Sequence, residues 1–216
     1  MSRQRNRTRA SSKWAAGLLL PAALIVGAWT YAAGNLTITP ETKLWVEGTS
    51  TVRSWKCEAT QVQGAVTFEG ELGTALEDMR AIDAVVINVP IAQLDCKNGT
   101  MNNHMRKALK AAENPVINFR MTARELTPGP DGALTVNLTG LLLIAGAEKE
   151  ISMTANAVQN ASGQYAVTGK YELKMTEWGV KPPSLMLGTM RVREDVVVNF
   201  EIVLARETGP AASVQQ

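Results

Sequence analysis

From about residue 40 onward the chain alternates apolar and polar positions. Val66, Phe68, Gly70 and Leu72 share one face, against Thr67, Glu69 and Glu71 on the other. Leu134, Val136 and Leu138 alternate with Thr135, Asn137 and Thr139. Tyr171, Leu173 and Met175 alternate with Glu172, Lys174 and Thr176, and Val196, Val198, Phe200, Ile202 and Leu204 form the longest such face. A period of two over four to eight residues predicts strands with one covered face. Further strands are expected over 43–52, 82–89, 116–124, 141–144 and 151–158. Turn chemistry separates them at Pro128 to Gly132, Gly146, Asn160 to Gly163 and Lys181-Pro182-Pro183.

One segment changes period. Met101, Met105, Ala108, Leu109 and Ala112 recur at helical spacing, with Asn102, Asn103, Arg106, Lys107 and Lys110 opposite. This predicts a surface helix of about three turns whose apolar stripe rests on the sheet. Thr100 is the expected N-cap, and Asn114-Pro115 the expected stop, because the residue before proline avoids the helical region. The body therefore reads as about eight antiparallel strands, with the helix between the third and fourth. Up-and-down barrel and sandwich both satisfy that pattern.

The first 33 residues differ. Arg3, Arg5, Arg7, Arg9 and Lys13 precede an apolar stretch from Trp14, and small residues follow at Ala32, Ala33 and Gly34. That order reads as a secretory signal peptide, with Thr30 and Ala32 at the recognition positions of a cut after Ala32. An uncleaved N-terminal anchor is the competing reading, and membrane proximity through this segment follows from it. No adjacent arginine pair occurs in it, which favours the general secretory route. Either reading places the body in the periplasm or cell envelope. Residues 34–206 form the expected single domain and 207–216 a frayed tail. The split also changes the charge. The whole chain carries +2, but five of its 22 basic residues lie in the leader, leaving 17 against 20 acids, or about −3. A basic nucleic-acid-binding surface is not expected.

Cys57 and Cys96 are the only cysteines, and in an oxidising compartment they are expected to pair, with two free thiols as the alternative. No metal and no cofactor are expected. The chain has a single histidine, His104, and no Cys-x-x-Cys. Nucleophile elbows, phosphate-cradling loops and His-Glu-x-x-His are missing as well. His104 falls on the polar side of the expected helix, where a surface or capping role competes with a catalytic one in an isomerase or hydrolase. Acid pairs such as Glu69/Glu71 and Glu148/Glu150 read as solvated faces. More suggestive is the loop from Glu177 to Leu187. It is unusually apolar for a connection, and Met175, Met186 and Met190 cluster around it. It is either a lid or a plug closing one end of a barrel.

In this order and spacing the sequence resembles the YceI-like family of exported lipid-binding proteins. Val66-Thr67-Phe68-Glu69-Gly70 is similar to the family's early strand. Met101 to Leu109, followed by Pro115-Val116-Ile117-Asn118-Phe119, is similar to its helix and proline-started strand. The stretch from Leu138 to Lys149 resembles its G-x-L-T-I-x-G-x-x-K signature, and Met175 to Val180 its late strand and aromatic-Gly-aliphatic turn. Val196 to Leu204 is similar to the closing strand. Departures mark a divergent branch. Ala145 stands where many members carry histidine, Met101-Asn102-Asn103-His104 replaces Arg-Asp-x-His, and the cysteine pair is not general to the family.

The resemblance implies an all-β fold with one main helix, an eight-stranded antiparallel lipocalin-like barrel with an elongated apolar interior. Its implied ligands are polyprenols, isoprenoid quinones or other long amphiphiles such as fatty-acid derivatives, bound without catalysis. Phe68, Val86, Phe119, Met121, Leu142, Ile144, Tyr171, Leu173, Met175 and Phe200 are the expected lining, with Trp178 and Met186 at the lid. A one-residue error of register would exchange any of these for its neighbour. An envelope interaction module with a filled barrel and a protein partner is the alternative, and a homodimer is left open.

Overall fold

The computed structural model describes residues 34–68, 81–129, 133–185 and 189–206. The expected leader and tail, Gly70, Leu72 and Met186 lie outside these residues. The strands are β1 (Gly34–Ile38), β2 (Lys43–Ser50), β3 (Ser54–Ala59), β4 (Gln63–Phe68), β5 (Ile82–Pro90) and β6 (Leu94–Asp95). After a helix α1 (Gly99–Ala108) come β7 (Val116–Pro128), β8 (Leu134–Ile144), β9 (Ala147–Gln159), β10 (Tyr165–Lys174), β11 (Ser184–Leu185) and β12 (Met190–Arg206).

Pairing register turns these segments into eight staves. β1 pairs β12 at Ile38 and Leu204, and β2 resumes along the same edge of β12 at Lys43 and Glu201. The two are one stave, interrupted at Pro40. β3 runs beside β2 and β4 beside β1, so they form a second. β5 runs beside β4 and β6 beside β3, with a 3₁₀ turn at Ile91–Gln93 between them, which gives a third. β7, β8, β9, β10 and β12 complete the set. Every stave pairs antiparallel with its neighbour in sequence, and the last closes on the first. This is an eight-stranded up-and-down barrel rather than a sandwich. Closure leaves no long sheet edge without a partner.

One end of the barrel gathers the β2–β3 turn, α1, the β8–β9 turn and the connection from β10 to β12. The β8–β9 turn is a two-residue hairpin in which Ala145 (φ 51) and Gly146 (φ 85) are both left-handed, as the twist of adjoining strands demands. We call this the helix end. The opposite end is packed with apolar side chains, among them Leu36, Phe68, Ile82, Leu134, Tyr165 and Leu204, all buried.

Three features differ from the sequence reading. The N-cap of α1 is Asn98, not Thr100: its Oδ1 accepts from the Met101 N–H at 2.9 Å. The helix stops at Ala108, well before Pro115, because Lys110 turns left-handed (φ 52) and leaves Ala112 outside. Finally, β1, β3, β6 and β11 were not anticipated, and the strands expected over 134–138 and 141–144 are one, β8. All four are short, and the Cys57–Cys96 disulfide joins β3 to the residue that follows β6.

Candidate functional site

The barrel encloses a cavity of about 530 Å³, within the range of small-molecule pockets. Its walls come from inward positions of every stave. On β7 these are Ile117, Phe119 and Met121, then Arg124 and Leu126 beyond a bulge between Met121 and Ala123. On β12 they are Val196, Val198, Phe200, Ile202 and Leu204, and on β8 Val136, Leu138, Leu142 and Ile144. On β8 the lining runs from Val136 to Ile144, about 26 Å along the tilted strand at roughly 3.3 Å per residue, so the lumen is elongated.

Three aromatic rings lie against the wall instead of filling the lumen, each over a glycine. A Cβ placed on Gly140 would stand 2.6 Å from the Phe119 ring, and one on Gly169 would stand 2.5 Å from that of Phe200. The Trp55 ring covers Gly48, its partner on β2, in the same way.

Of the expected lining residues, Phe119, Met121, Leu142, Ile144, Tyr171, Leu173, Met175, Trp178 and Phe200 border the cavity. Phe68 is buried but belongs to the apolar packing away from the wall. Val86 faces outward, beside exposed Ala65 and Arg120, while Val85 and Ile87 face in. The run Ala84-Val85-Val86-Ile87 is apolar on both faces, so its period could not fix the register. His104 is also corrected. It sits between Met101, Met105 and Ala108 on the stripe that meets the cavity. The spacing i, i+3, i+4, i+7 places it there.

The helix end is half closed. Trp178 is 2% exposed, and its Nε1–H donates to the Leu142 carbonyl at 3.2 Å. The Lys149 ammonium stands 5.6 Å from its ring centroid, and Val180 is buried beside it, its N–H bonded to the Met175 carbonyl. This part of the connection is a plug. The other half is open. Among the described residues that line the cavity, only Arg53, Asn98 and Thr100 are exposed. They place the mouth between the β2–β3 turn and the start of α1.

The disulfide and an acid pair stiffen this rim. The Met105 sulfur rests 3.8 Å from that of Cys96, whose N–H donates to Asn102 Oδ1. Asp95 accepts from Asn102 Nδ2 and the Lys97 N–H, and these bonds, the Asn102 one first, hold its carboxyl below the ordinary range. The hydrogen bond and charge of Lys56 do the same for Glu58. On the inner wall the Tyr171 phenol is raised, first by burial and then by Glu177, so it remains neutral.

A closed antiparallel barrel whose apolar lumen opens at a polar mouth is the architecture of lipocalin-like binding proteins. The YceI-like domain model matches residues 29–204, and the chain belongs to that family. Against curated proteins the chain matches none. Among solved structures it is similar to Burkholderia cenocepacia BcnA, at 16% identity and TM-score 0.61 over 75% of this chain and 95% of that one. It is similar too to a Saccharophagus degradans polyisoprenoid-binding domain implicated in plant cell wall breakdown, at 11% identity and TM-score 0.60 over 80% and 98%. A Campylobacter jejuni YceI protein follows, at 20% identity and TM-score 0.53 over 71% and 85%. At these identities the likeness shows the fold.

Proposed function

We propose that the protein is an exported, non-catalytic binding protein of the cell envelope that holds one long-chain isoprenoid-like amphiphile in the barrel. The observation that carries this is the apolar lumen of about 530 Å³, whose exposed lining among the described residues is polar and gathers at one mouth. A polyprenol, an isoprenoid quinone or a fatty-acid derivative fits that description, since its tail needs only an apolar tunnel. Each buried methylene is worth about 0.8 kcal/mol, so a tail of this kind binds tightly without specific contacts. The polyisoprenoid-binding domain of Saccharophagus degradans supports the ligand class. The basic-then-apolar leader and the Cys57–Cys96 disulfide support export.

The test is a titration of lipid-free protein with a C20 isoprenoid alcohol, followed through the fluorescence of Trp55 and Trp178, both in the wall. Saturable one-to-one binding that Val198→Trp abolishes is expected, because Val198 faces the lumen. Binding that survives Val198→Trp unchanged places the ligand elsewhere.

A further inference from the structure

The mouth has a polarity that the lumen lacks. Arg53 stands on the β2–β3 turn, and its guanidinium has no hydrogen-bond or ion-pair partner among the described residues. Trp55, two residues on, lines the same cavity, and its indole N–H is buried without an acceptor. Asn98 uses its oxygen to cap α1, which leaves its amide N–H₂ to be satisfied from outside. The uncommitted groups of fixed character at the rim are therefore donors, and one carries a full positive charge. The buried Trp55 donor is costly without an acceptor, and the exposed donors of Arg53 and Asn98 beside the same lumen are free to bind an acceptor-rich occupant in place of water.

Nearby acids do not supply it. Glu58 is paired with Lys56 and Lys97, and Asp95 with Lys97. α1 has no acid, and its last turn carries Arg106 and Lys107. The other charged residue in the cavity wall, Arg124, lies deeper on β7 and is already engaged. Arg53 is the charge left available at the opening.

We infer that the bound amphiphile lies with its tail in the lumen and an anionic head group, a phosphate monoester or a carboxylate, at the mouth on Arg53. This rests on the lipid-binding reading and adds the orientation and the class of head. Charge-assisted hydrogen bonds from a guanidinium to such an oxyanion are roughly twice as strong as neutral ones, and the planar fork engages two oxygens at once. Neutral alcohols and quinones with the same tail still enter, but without that contact. Arg53 is thus the residue that selects the head.

The experiment compares a C20 isoprenoid alcohol with its monophosphate on the purified protein, using tryptophan fluorescence at fixed ionic strength. The wild type is expected to bind the monophosphate at least tenfold more tightly. Arg53→Gln is expected to bind the two ligands equally, and its denaturant unfolding midpoint, compared with that of the wild type, is the control for folding. Arg53→Lys, which keeps the charge but not the fork, retains part of the preference. Equal affinities in the wild type overturn the inference, as does a preference that survives Arg53→Gln. Loss of both ligands together in Arg53→Gln also overturns it, since the arginine would then be structural. If neither ligand binds the wild type, the lipid-binding reading itself fails.

Discussion

The ring of Phe200 on β12 lies across Gly169, its partner on β10, so closely that a Cβ at residue 169 would stand 2.5 Å from Cζ. Gly140 and Phe119 repeat the arrangement on β8 and β7. An inward aromatic in an eight-stranded barrel ordinarily occupies the axis. Here each glycine removes the side chain that would hold the ring off the wall, so the ring lies flat and the axis stays open. Gly169→Ala should push its ring into the lumen, and Gly140→Ala should do the same while also pressing on the Arg120 carbonyl, which lies as close as the ring at 2.6 Å. The cost in stability should be about 1–3 kcal/mol, as for other overpacked sites. Isoprenoid affinity should fall by more than stability does, which parallel titration and denaturant unfolding will show. A loss of stability with undiminished binding would contradict this role.

The inward register of β5 gives a second prediction. Ile87 faces the cavity and Val86 faces outward beside Arg120. Ile87→Asn buries an amide without partners and should cost about 2 kcal/mol or more. Val86→Asn should stay within about 0.5 kcal/mol, as surface changes usually do. Urea midpoints of the two variants decide it, and a larger loss in Val86→Asn than in Ile87→Asn would put β5 in the other register.

That strand also shows where the sequence was legible and where it was not. On β10 and β12 Leu173 lies between Glu172 and Lys174, and Phe200 between Asn199 and Glu201, so these two could be placed by period alone, whereas Leu142 lies in an apolar run over 141–144. On β5 both faces are apolar around Val86, because its outer face is half covered, and period is silent there. His104 was misplaced because a histidine among Asn102, Asn103 and Arg106 reads as polar, although its spacing from Met101 and Ala108 is that of the stripe. The mouth was not legible. Arg53 and Asn98 are far apart in sequence and line one cavity because β3 pairs with β6 beside α1. The one local hint was Asn98-Gly99-Thr100, a helix-start signature read one cap too late.

The disulfide makes a third prediction. Cys57 and Cys96 are separated by 39 residues, and closing a loop of that length is worth about 4 kcal/mol in the chain-entropy model. The double variant Cys57→Ser/Cys96→Ser should lose stability on that order in denaturant unfolding. It should also raise hydrogen exchange in α1, since the Cys96 N–H bond to Asn102 ties the helix to the bridge. Unchanged exchange in α1 would show that the helix is held by its apolar stripe alone.

The rim responds to acid through Asp95. Its carboxyl is held below the ordinary aspartate value of 3.8 by Asn102 and Lys97. A lowered folded value means stability that is complete above 3.8 and is lost as pH falls through the folded value. The wild type should therefore lose stability on acidification below pH 3.8 more steeply than Asp95→Asn, which cannot titrate there. Parallel acid titrations of thermal midpoint test this, and identical slopes would remove Asp95 from the account.

The account stands on one claim, that the lumen is a lipid site and not a void. Native mass spectrometry of the protein purified without detergent, followed by solvent extraction, addresses it directly. The predicted result is a single added mass of one-to-one stoichiometry that extracts as a long-chain lipid. A protein that flies bare, and that also takes up no polyprenol or isoprenoid quinone added in excess, would contradict it.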